Sequence, residues 1–290
     1  MMWASGPDSV VDPDRGKQTS SWTVTDSGTI VPFSFLRDLG QDLVIQASAP
    51  FTMSLHQSEM TVAGVAITVG LVHLDPQIDR YFNPLDRKNR YVRMSSPRIT
   101  ELGGKYGIEA TAAFGAYSLL SGDDHAQRTS VVMSEALITS GLWVRLGKVM
   151  FSRERPNASV QFSHRPGGEW RYITGFFRTR FQTVGQYDAF PSGHTATAFS
   201  LAAVIDASYG PDRPAVGIAA YALATGVGLT RMVEHEHWAS DVFAGAVIGY
   251  LCGHQVAEHS GLFTASESER THLSLAVIGR SPGVQLSLRL

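Results

Sequence analysis

Residues 191–205 read PSGHTATAFSLAAVI, a tight polar turn followed by an apolar run. Ser192 and Gly193 precede the apolar run from Thr195 to Ile205, where a helix is predicted to start. Free backbone N–H groups at a helix N-terminus attract anions, and the Ser192 hydroxyl adds one more donor. Because Gly193 has no Cβ, a ligand can approach its backbone closely. The segment therefore predicts an anion-binding helix start with His194 beside it.

Cations lie on both sides of this segment in the sequence. Upstream, Lys148 is followed by six residues and then by Arg155; downstream stands Arg231. An arginine guanidinium pairs with two oxygens at once, whereas a lysine ammonium acts as a point charge. Such cations suit phosphoryl transfer, whose transition state spreads negative charge over the equatorial oxygens. We predict that these three cations bind a phosphate together with Ser192 and Gly193.

Two histidines and an aspartate are predicted to carry out the chemistry. His237 and Asp241 are four residues apart, so on a helix they would share a face. A carboxylate bonded to one ring nitrogen fixes the tautomer and leaves the other nitrogen as a nucleophile. His194 is predicted to protonate the leaving oxygen and later to activate water. No metal is expected, because the cations already supply the electrostatic stabilisation.

Each of these pieces also has a plain structural interpretation when it is taken alone. A Pro-Ser-Gly-His turn commonly precedes a helix, and a histidine–aspartate pair on a helix is usually a surface contact. Lys148 and Arg155 near a helix end could complement the helix dipole. His235, two residues before His237, raises the alternative of a metal site, but no cysteine cluster accompanies it. The ordered set of motifs favours one catalytic site.

This ordered set resembles the type 2 phosphatidic acid phosphatases, which share a superfamily with bacterial class A acid phosphatases and vanadium haloperoxidases. The family pattern is Lys-x6-Arg-Pro, Pro-Ser-Gly-His and Ser-Arg-x5-His-x3-Asp, and the chain departs from it at Thr230, where the family usually has serine. The resemblance extends over roughly Asp75 to His259 and implies the roles given above. The matching residues are Lys148, Arg155, Pro156, Pro191, Ser192, Gly193, His194, Arg231, His237 and Asp241.

The resemblance implies a metal-independent phosphatase that forms a phosphohistidine at His237. Its expected substrates are phosphomonoesters or pyrophosphates, chiefly of lipids, and it needs no cofactor, with vanadate as an inhibitor. A soluble acid phosphatase of broad specificity is the nearest alternative. In a second alternative, a vanadium-dependent haloperoxidase, the same pocket would hold vanadate as the cofactor, with His237 as its ligand. A third, a non-catalytic membrane scaffold, predicts damaged motifs, and the motifs are intact.

The apolar segments predict an all-α fold, a bundle of about six core helices with the catalytic groups at one end. A short amphipathic lead over Phe35–Ala47 precedes them, and together they form a helical phosphatase domain over 35–259. A charged stretch, Asp75–Gly104, is predicted to be broken by prolines, and Asn157–Phe190 is predicted to be a long loop over the site. The six segments are Met60–Leu74, Lys105–Leu120, Ser130–Phe151, Thr195–Tyr209, Pro214–Met232 and Trp238–Val256.

The two ends of the chain differ in composition from this domain. Residues 1–34 are polar, predict a disordered leader, and lack the charged start and apolar run of a complete signal peptide. Residues 260–290 form a tail in which alternating runs flank Pro282-Gly283, so a terminal β-hairpin is predicted. The single cysteine, Cys252, excludes an intrachain disulfide and is predicted to be buried.

Charge and hydropathy bear on partners and location. A net charge of −2 argues against nucleic acid as a partner. Pro214–Thr230 contains no charged residue, and Trp238–Val256 contains only Asp241 among Asp, Glu, Lys and Arg. We therefore expect a cell-envelope protein in or against the membrane, with its active end facing the periplasm. A soluble periplasmic protein is the alternative.

Overall fold

The structure is a computed structural model that describes residues 32–161, 163–173 and 185–262. Within these ranges all regular structure is helical, apart from one isolated antiparallel bridge between Arg153 and Trp170. The predicted all-α fold is confirmed. The predicted leader lies outside the described residues except for 32–34, which begin the first helix. The predicted C-terminal hairpin also lies outside them.

Capping residues set the ends of several helices. Asp123 caps one of them, because its Oδ1 accepts a hydrogen bond from the backbone N–H of Ala126 at 3.0 Å. Gly122 ends the preceding helix with a φ of 67°, which suits glycine. The helices are α1 Pro32–Thr52, α2 Leu55–Phe82, α3 Leu85–Lys88, α4 Arg90–Thr100, α5 Lys105–Ser121, α6 Asp124–Phe151, α7 Pro156–Gln161, α8 Gly193–Tyr209, α9 Pro214–Val233 and α10 Ala239–His259, with a 3₁₀ turn over Glu101–Gly103.

The six predicted segments correspond to α2, α5, α6, α8, α9 and α10, but two predicted irregular regions are more helical than expected. In the charged stretch, α2 continues through Pro76, and Pro97 lies inside α4. The tertiary contacts of the fully buried Asp75 hold α2 in place there and outweigh the local preference against proline. In the predicted loop, Pro156 begins the short helix α7, as a first helical residue commonly does.

Helix α8 lies at the centre of the bundle and packs against α6, α9 and α10. Its contact with α10 is a backbone-to-backbone approach, because α10 presents a glycine at every fourth residue. A Cβ at any of these glycines would lie 2.2–2.4 Å from a carbonyl oxygen of α8 or its cap, the pairs being Gly245 with Ser192, Gly249 with Ala196 and Gly253 with Ser200. Small residues at helix contacts permit this distance. The close approach fixes the N-terminal ends of α8 and α10 side by side.

Among the residues that the structure describes, two helices are long and apolar enough to cross a membrane, Thr61–Phe82 within α2 and Pro214–Val233, which is α9. In the most apolar 18-residue stretch of α2, only 6% of the residues are buried, so its apolar side chains lie on the outside of the protein. Val62 and Val65 are 67% and 59% exposed, and Ile218 of α9 is 71% exposed. Large exposed apolar surfaces mark contacts with membranes or other proteins.

Candidate active site

A cavity of about 340 Å³ opens at the end of the bundle where α6 and α9 finish and α8 and α10 begin. Five of the eight predicted site residues line it, namely Lys148, Arg155, Gly193, His194 and His237. The other three, Ser192, Arg231 and Asp241, are buried in contact with these residues and their neighbours. The structure therefore brings all eight predicted residues to one end of the fold.

The ring of His237 is held by a backbone carbonyl. Its Nδ1 lies 2.7 Å from the carbonyl oxygen of Ala189, and because a carbonyl only accepts, Nδ1 must be the donor. The tautomer is thereby fixed, and Nε2 keeps its lone pair. Burial, followed by the charges of Lys148, Arg155 and Arg231, lowers the pKa of His237 well below its usual value. The imidazole is therefore neutral and able to act as a nucleophile.

Asp241 does not make the hydrogen bond to His237 that the sequence predicted. Its Oδ2 lies 3.8 Å from His237 Nδ1, and the premise of a shared helix face fails because α10 begins at Ala239. Oδ2 instead accepts a hydrogen bond from the backbone N–H of Trp238 at 2.8 Å. The backbone oxygen of Asp241 accepts from the N–H of Ser192 at 2.9 Å. Asp241 therefore joins the starts of α8 and α10 and leaves its charge near the imidazole.

Two of the cations share Asp188. The Lys148 ammonium donates to the backbone oxygen of Asp188 and lies 3.9 Å from its carboxylate, and Arg155 Nε donates to Oδ1 at 2.7 Å. Burial lowers the pKa of Lys148 to about 8, although the charge of Asp188 opposes this shift. Burial alone would raise the pKa of Asp188, but Lys148 and Arg155 outweigh it and lower that pKa.

Arg231 is 6% exposed and has an unused donor. Its NH1 donates to Glu234 Oε2 at 2.7 Å, and its NH2 lies 3.5 Å from Glu236 Oε2, which also pairs with Arg155. Its Nε is buried without a hydrogen-bond partner. A buried donor without an acceptor is costly. A bound oxyanion would supply the missing acceptor.

Gly103 and Gly104 shape the cavity around His194. A Cβ on Gly104 would lie 2.8 Å from His194 Nε2, and one on Gly103 would lie 2.2 Å from the His194 carbonyl oxygen. Burial, followed by the charge of Arg231, lowers the pKa of His194 to about 4, although the Glu101 carboxylate opposes the shift. The imidazole of His194 is thus neutral beside the cations and can gain a proton when an anion offsets their charge.

The sequence reasoning missed several residues that build the site, above all Asp75, Arg153, Asp188 and Glu236. Only Arg153 and Glu236 carried a signal, since each lies inside a motif or next to a motif residue. His235, considered as a metal ligand, places its two ring nitrogens 3.1 Å from Asp79 Oδ1 and 3.2 Å from the Asn83 carbonyl oxygen. Across the described ranges, no group of three or more histidine, cysteine or acidic side chains is arranged to hold a metal ion.

Comparisons with known proteins found one curated relative and two solved structures that are similar to parts of this chain. The lipid A 1-phosphatase of Porphyromonas gingivalis is 46% identical over 66 residues, which are 23% of this chain and 15% of that protein. The crystal structure of Aquifex aeolicus LpxE superposes with a TM-score of 0.48 and 21% identity, covering 64% of this chain and 95% of that one. A transmembrane PAP2 type phosphatidylglycerolphosphate phosphatase from Bacillus subtilis superposes with a TM-score of 0.43 and 16% identity, covering 80% and 98%.

The family model described as PAP2 superfamily matches residues 129–259. This segment contains every predicted site residue, from Lys148 to Asp241, together with most of α6 and all of α8, α9 and α10. Residues 129–259 of the chain therefore belong to the PAP2 superfamily.

Proposed function

We propose that this protein is a phosphatase that removes phosphate from phosphomonoesters or pyrophosphates of lipids through a phosphohistidine at His237. The observation that carries the proposal is the position of His237. Its Nδ1 is fixed by the Ala189 carbonyl at 2.7 Å, and its ring lines the same cavity of about 340 Å³ as Lys148 and Arg155. A neutral imidazole among cations is an arrangement suited to attack on a bound phosphate dianion.

In the first step, the lone pair of His237 Nε2 attacks phosphorus while the bond from phosphorus to the leaving oxygen breaks. His194 donates a proton to that oxygen, so a phosphomonoester releases a neutral alcohol and a pyrophosphate releases a protonated monophosphate. His194 must first be protonated, and the charge of the bound phosphate favours this because it offsets the cations that lower the pKa of His194. The positive ring of phosphorylated His237 is stabilised by the Ala189 carbonyl and the nearby Asp241 carboxylate.

In the second step, neutral His194 takes a proton from water, and the water oxygen attacks phosphorus. The bond between phosphorus and His237 Nε2 breaks, and its electron pair returns to the imidazole. Lys148, Arg155, Arg231 and the N-terminus of α8 bind the phosphoryl oxygens throughout. Arg231 is suited to this role because its Nε is buried and lacks an acceptor.

A lipid substrate and a membrane location are supported by the surface of the protein. The most apolar window of α2 is 6% buried, whereas the core helix of a soluble protein would be mostly buried. The relative that shares 46% identity over 66 residues is named lipid A 1-phosphatase, which fits a phosphorylated lipid. We place the protein in the cell envelope, with α2 and α9 crossing the membrane and the active end facing the periplasm.

The test is phosphate release from p-nitrophenyl phosphate and from phosphatidic acid, with EDTA present, with and without orthovanadate. We expect release that survives chelation and is inhibited by vanadate, a mimic of the five-coordinate transition state. His237→Ala should lose roughly a thousandfold or more in kcat, as removal of a catalytic nucleophile does. His125→Ala, which changes an exposed histidine on α6, is the matched control and should keep full activity.

A second variant in the same experiment tests the role of His194 as the proton donor. His194→Ala should lose more rate on phosphatidic acid, whose alkoxide is a poor leaving group, than on p-nitrophenyl phosphate. Wild-type rates in His237→Ala would refute the phosphohistidine mechanism. Absence of phosphate release, together with bromide oxidation by peroxide that depends on vanadate, would instead establish the haloperoxidase alternative.

A further inference from the structure

A fully buried arginine, Arg153, lies next to the catalytic cavity without lining it. Its NH2 donates to Asp75 Oδ2 and its NH1 donates to Asp241 Oδ1, both at 2.6 Å, and all three side chains are 0% exposed. The guanidinium also lies between two indole rings, 4.5 Å from the centroid of Trp170 and 5.2 Å from that of Trp238. Two ion pairs and two aromatic rings therefore hold the guanidinium in place.

Two routes connect Arg153 to the nucleophile. Through its side chain, it holds the carboxylate of Asp241, whose other oxygen is 3.8 Å from His237 Nδ1. Through its backbone, the Arg153 carbonyl accepts a hydrogen bond from the N–H of Ala189 at 3.0 Å, and the Ala189 carbonyl accepts from His237 Nδ1. Both routes end at the same ring nitrogen. A displacement of Arg153 would therefore turn the imidazole.

Asp75 holds this arginine in place from a different helix. It lies on α2, outside residues 129–259, and is separated from Arg153 by 78 positions in the sequence. Its Oδ1 accepts from the Ser240 backbone N–H at 2.9 Å, and its Oδ2 accepts from the Ser240 hydroxyl at 2.6 Å. The Ser240 oxygen in turn accepts from Arg153 NH1 at 2.6 Å. The carboxylate thus ties Arg153 to the start of α10.

We propose that Asp75 is a positioning residue for the nucleophile, acting through Arg153 on His237. Helix α2 is then a component of the active site as well as a membrane segment. Without the Asp75 charge, Arg153 keeps Asp241 as an acceptor, and its NH2 keeps the Gly167 carbonyl at 2.8 Å. It loses the carboxylate that it shares with the Ser240 hydroxyl. This inference rests on the proposed phosphatase function and adds a residue outside the matched family region.

The test compares two inhibitors of the full-length protein in detergent. Orthovanadate mimics the transition state, so its affinity depends on the orientation of His237 Nε2 toward the bound anion. Inorganic phosphate binds mainly through the cations. An inhibition constant does not depend on the fraction of folded enzyme. A mispositioned nucleophile therefore weakens vanadate alone, whereas partial unfolding changes neither constant. Loss of the phosphate-binding cations weakens both.

For Asp75→Asn we expect kcat/KM and the vanadate inhibition constant to worsen by about 10- to 100-fold, the size of effect that an ångström of misplacement produces. The phosphate inhibition constant should stay within about twofold. Asp75→Glu should recover part of the loss, because it restores the charge. The matched control is Asp42→Asn. Asp42 is a carboxylate on α1 that is 1% exposed, and its Oδ1 lies 2.7 Å from His259 Nδ1. Neither residue lines the cavity. The constants of this variant should equal those of the wild type.

Unchanged constants in Asp75→Asn, or equal worsening for vanadate and phosphate, would overturn the inference. If Asp75→Asn does not fold, Ser240→Ala decides, since it removes one hydroxyl from the same network. A vanadate-selective loss of about 3- to 10-fold would support the inference, and wild-type constants would overturn it. Absence of phosphatase activity in the wild type is a different result and would contradict the proposed function itself.

Discussion

Replacement of Gly249 by alanine tests whether the contact between α8 and α10 sets the geometry of the site. The new Cβ would lie 2.2 Å from the carbonyl oxygen of Ala196 and 2.9 Å from its carbonyl carbon. Non-bonded heavy atoms rest at about 3.5 Å or more. Since the obstacle is backbone rather than a flexible side chain, the two helices must separate locally by roughly 1 Å.

The energetic cost follows from this separation. Overpacking of a tight contact destabilises a protein by about 1–3 kcal/mol, and alanine returns up to about 1 kcal/mol through its higher helix propensity. With the full return the net loss is about 0–2 kcal/mol, which corresponds to a decrease in Tm of up to roughly 8 °C for a domain of this size. Thermal unfolding in detergent measures it.

The same displacement should reach the catalytic groups. Helix α8 begins with Gly193 and His194, and α10 begins at Ala239, two residues after His237. An ångström of misplacement between reacting groups can cost up to about 100-fold in rate. We expect kcat to fall by about 10-fold or more in Gly249→Ala. Steady-state kinetics on p-nitrophenyl phosphate at a temperature well below Tm separates this loss from unfolding.

The matched control is Gly64→Ala on α2, because a Cβ at Gly64 meets no atom within 4 Å. It makes the same chemical change in a helix without the steric conflict. Its Tm and kcat should equal or slightly exceed those of the wild type. If Gly249→Ala is as stable and as active as Gly64→Ala, the reasoning from the helix contact is wrong.

Two further predictions concern the charges of the cavity. Because the pKa of Lys148 is lowered to about 8, its positive charge is present below pH 8 and lost above it, so the phosphate inhibition constant should rise by about tenfold from pH 7 to pH 9; a flat profile would contradict this. Glu236 pairs with Arg155 and lies 3.5 Å from Arg231, so it competes with a bound phosphate. Glu236→Gln should lower the phosphate inhibition constant by about 3- to 10-fold, and an equal or higher value would count against this competition.

The predicted site residues could be read from the sequence because they occur in short motifs at helix ends. Ser192, Gly193 and His194 mark the start of α8, and the apolar run after them predicts the helix itself. The contact between His237 and Asp241 could not be read in the same way. A spacing of four implies a shared face only within a helix, and the backbone before α10 turns at His235, whose φ is 57°. The acceptor for His237 is therefore Ala189, 48 positions away.

The hydrogen-bond network around Arg153 could not be predicted from the sequence either, for a different reason. Its acceptors Asp75 and Asp241 are 78 and 88 positions away, and neither spacing carries a periodic signal. Asp75 also precedes Pro76, and the sequence reasoning placed a break there because proline lacks an N–H and clashes with the preceding turn. Burial of the Asp75 carboxylate against Ser240 keeps α2 in position despite that local preference. Tertiary contact decided both features.

Two sets of contacts shape the cavity, and they should affect binding and rate differently. One is the packing that positions His237, and the other is a ring of carboxylates that pair with the phosphate-binding cations. Asp188, Glu234 and Glu236 pair with the same cations that would bind phosphate. A phosphate dianion must therefore displace carboxylates, besides accepting a hydrogen bond from the unpartnered Nε of Arg231. The exchange keeps buried cations from being left without counter-charges, which would be costly. Changes in the ring should therefore alter phosphate affinity more than kcat. Changes in the glycine contact of α8 with α10, or in the Arg153 network, alter where His237 points and should act mainly on kcat.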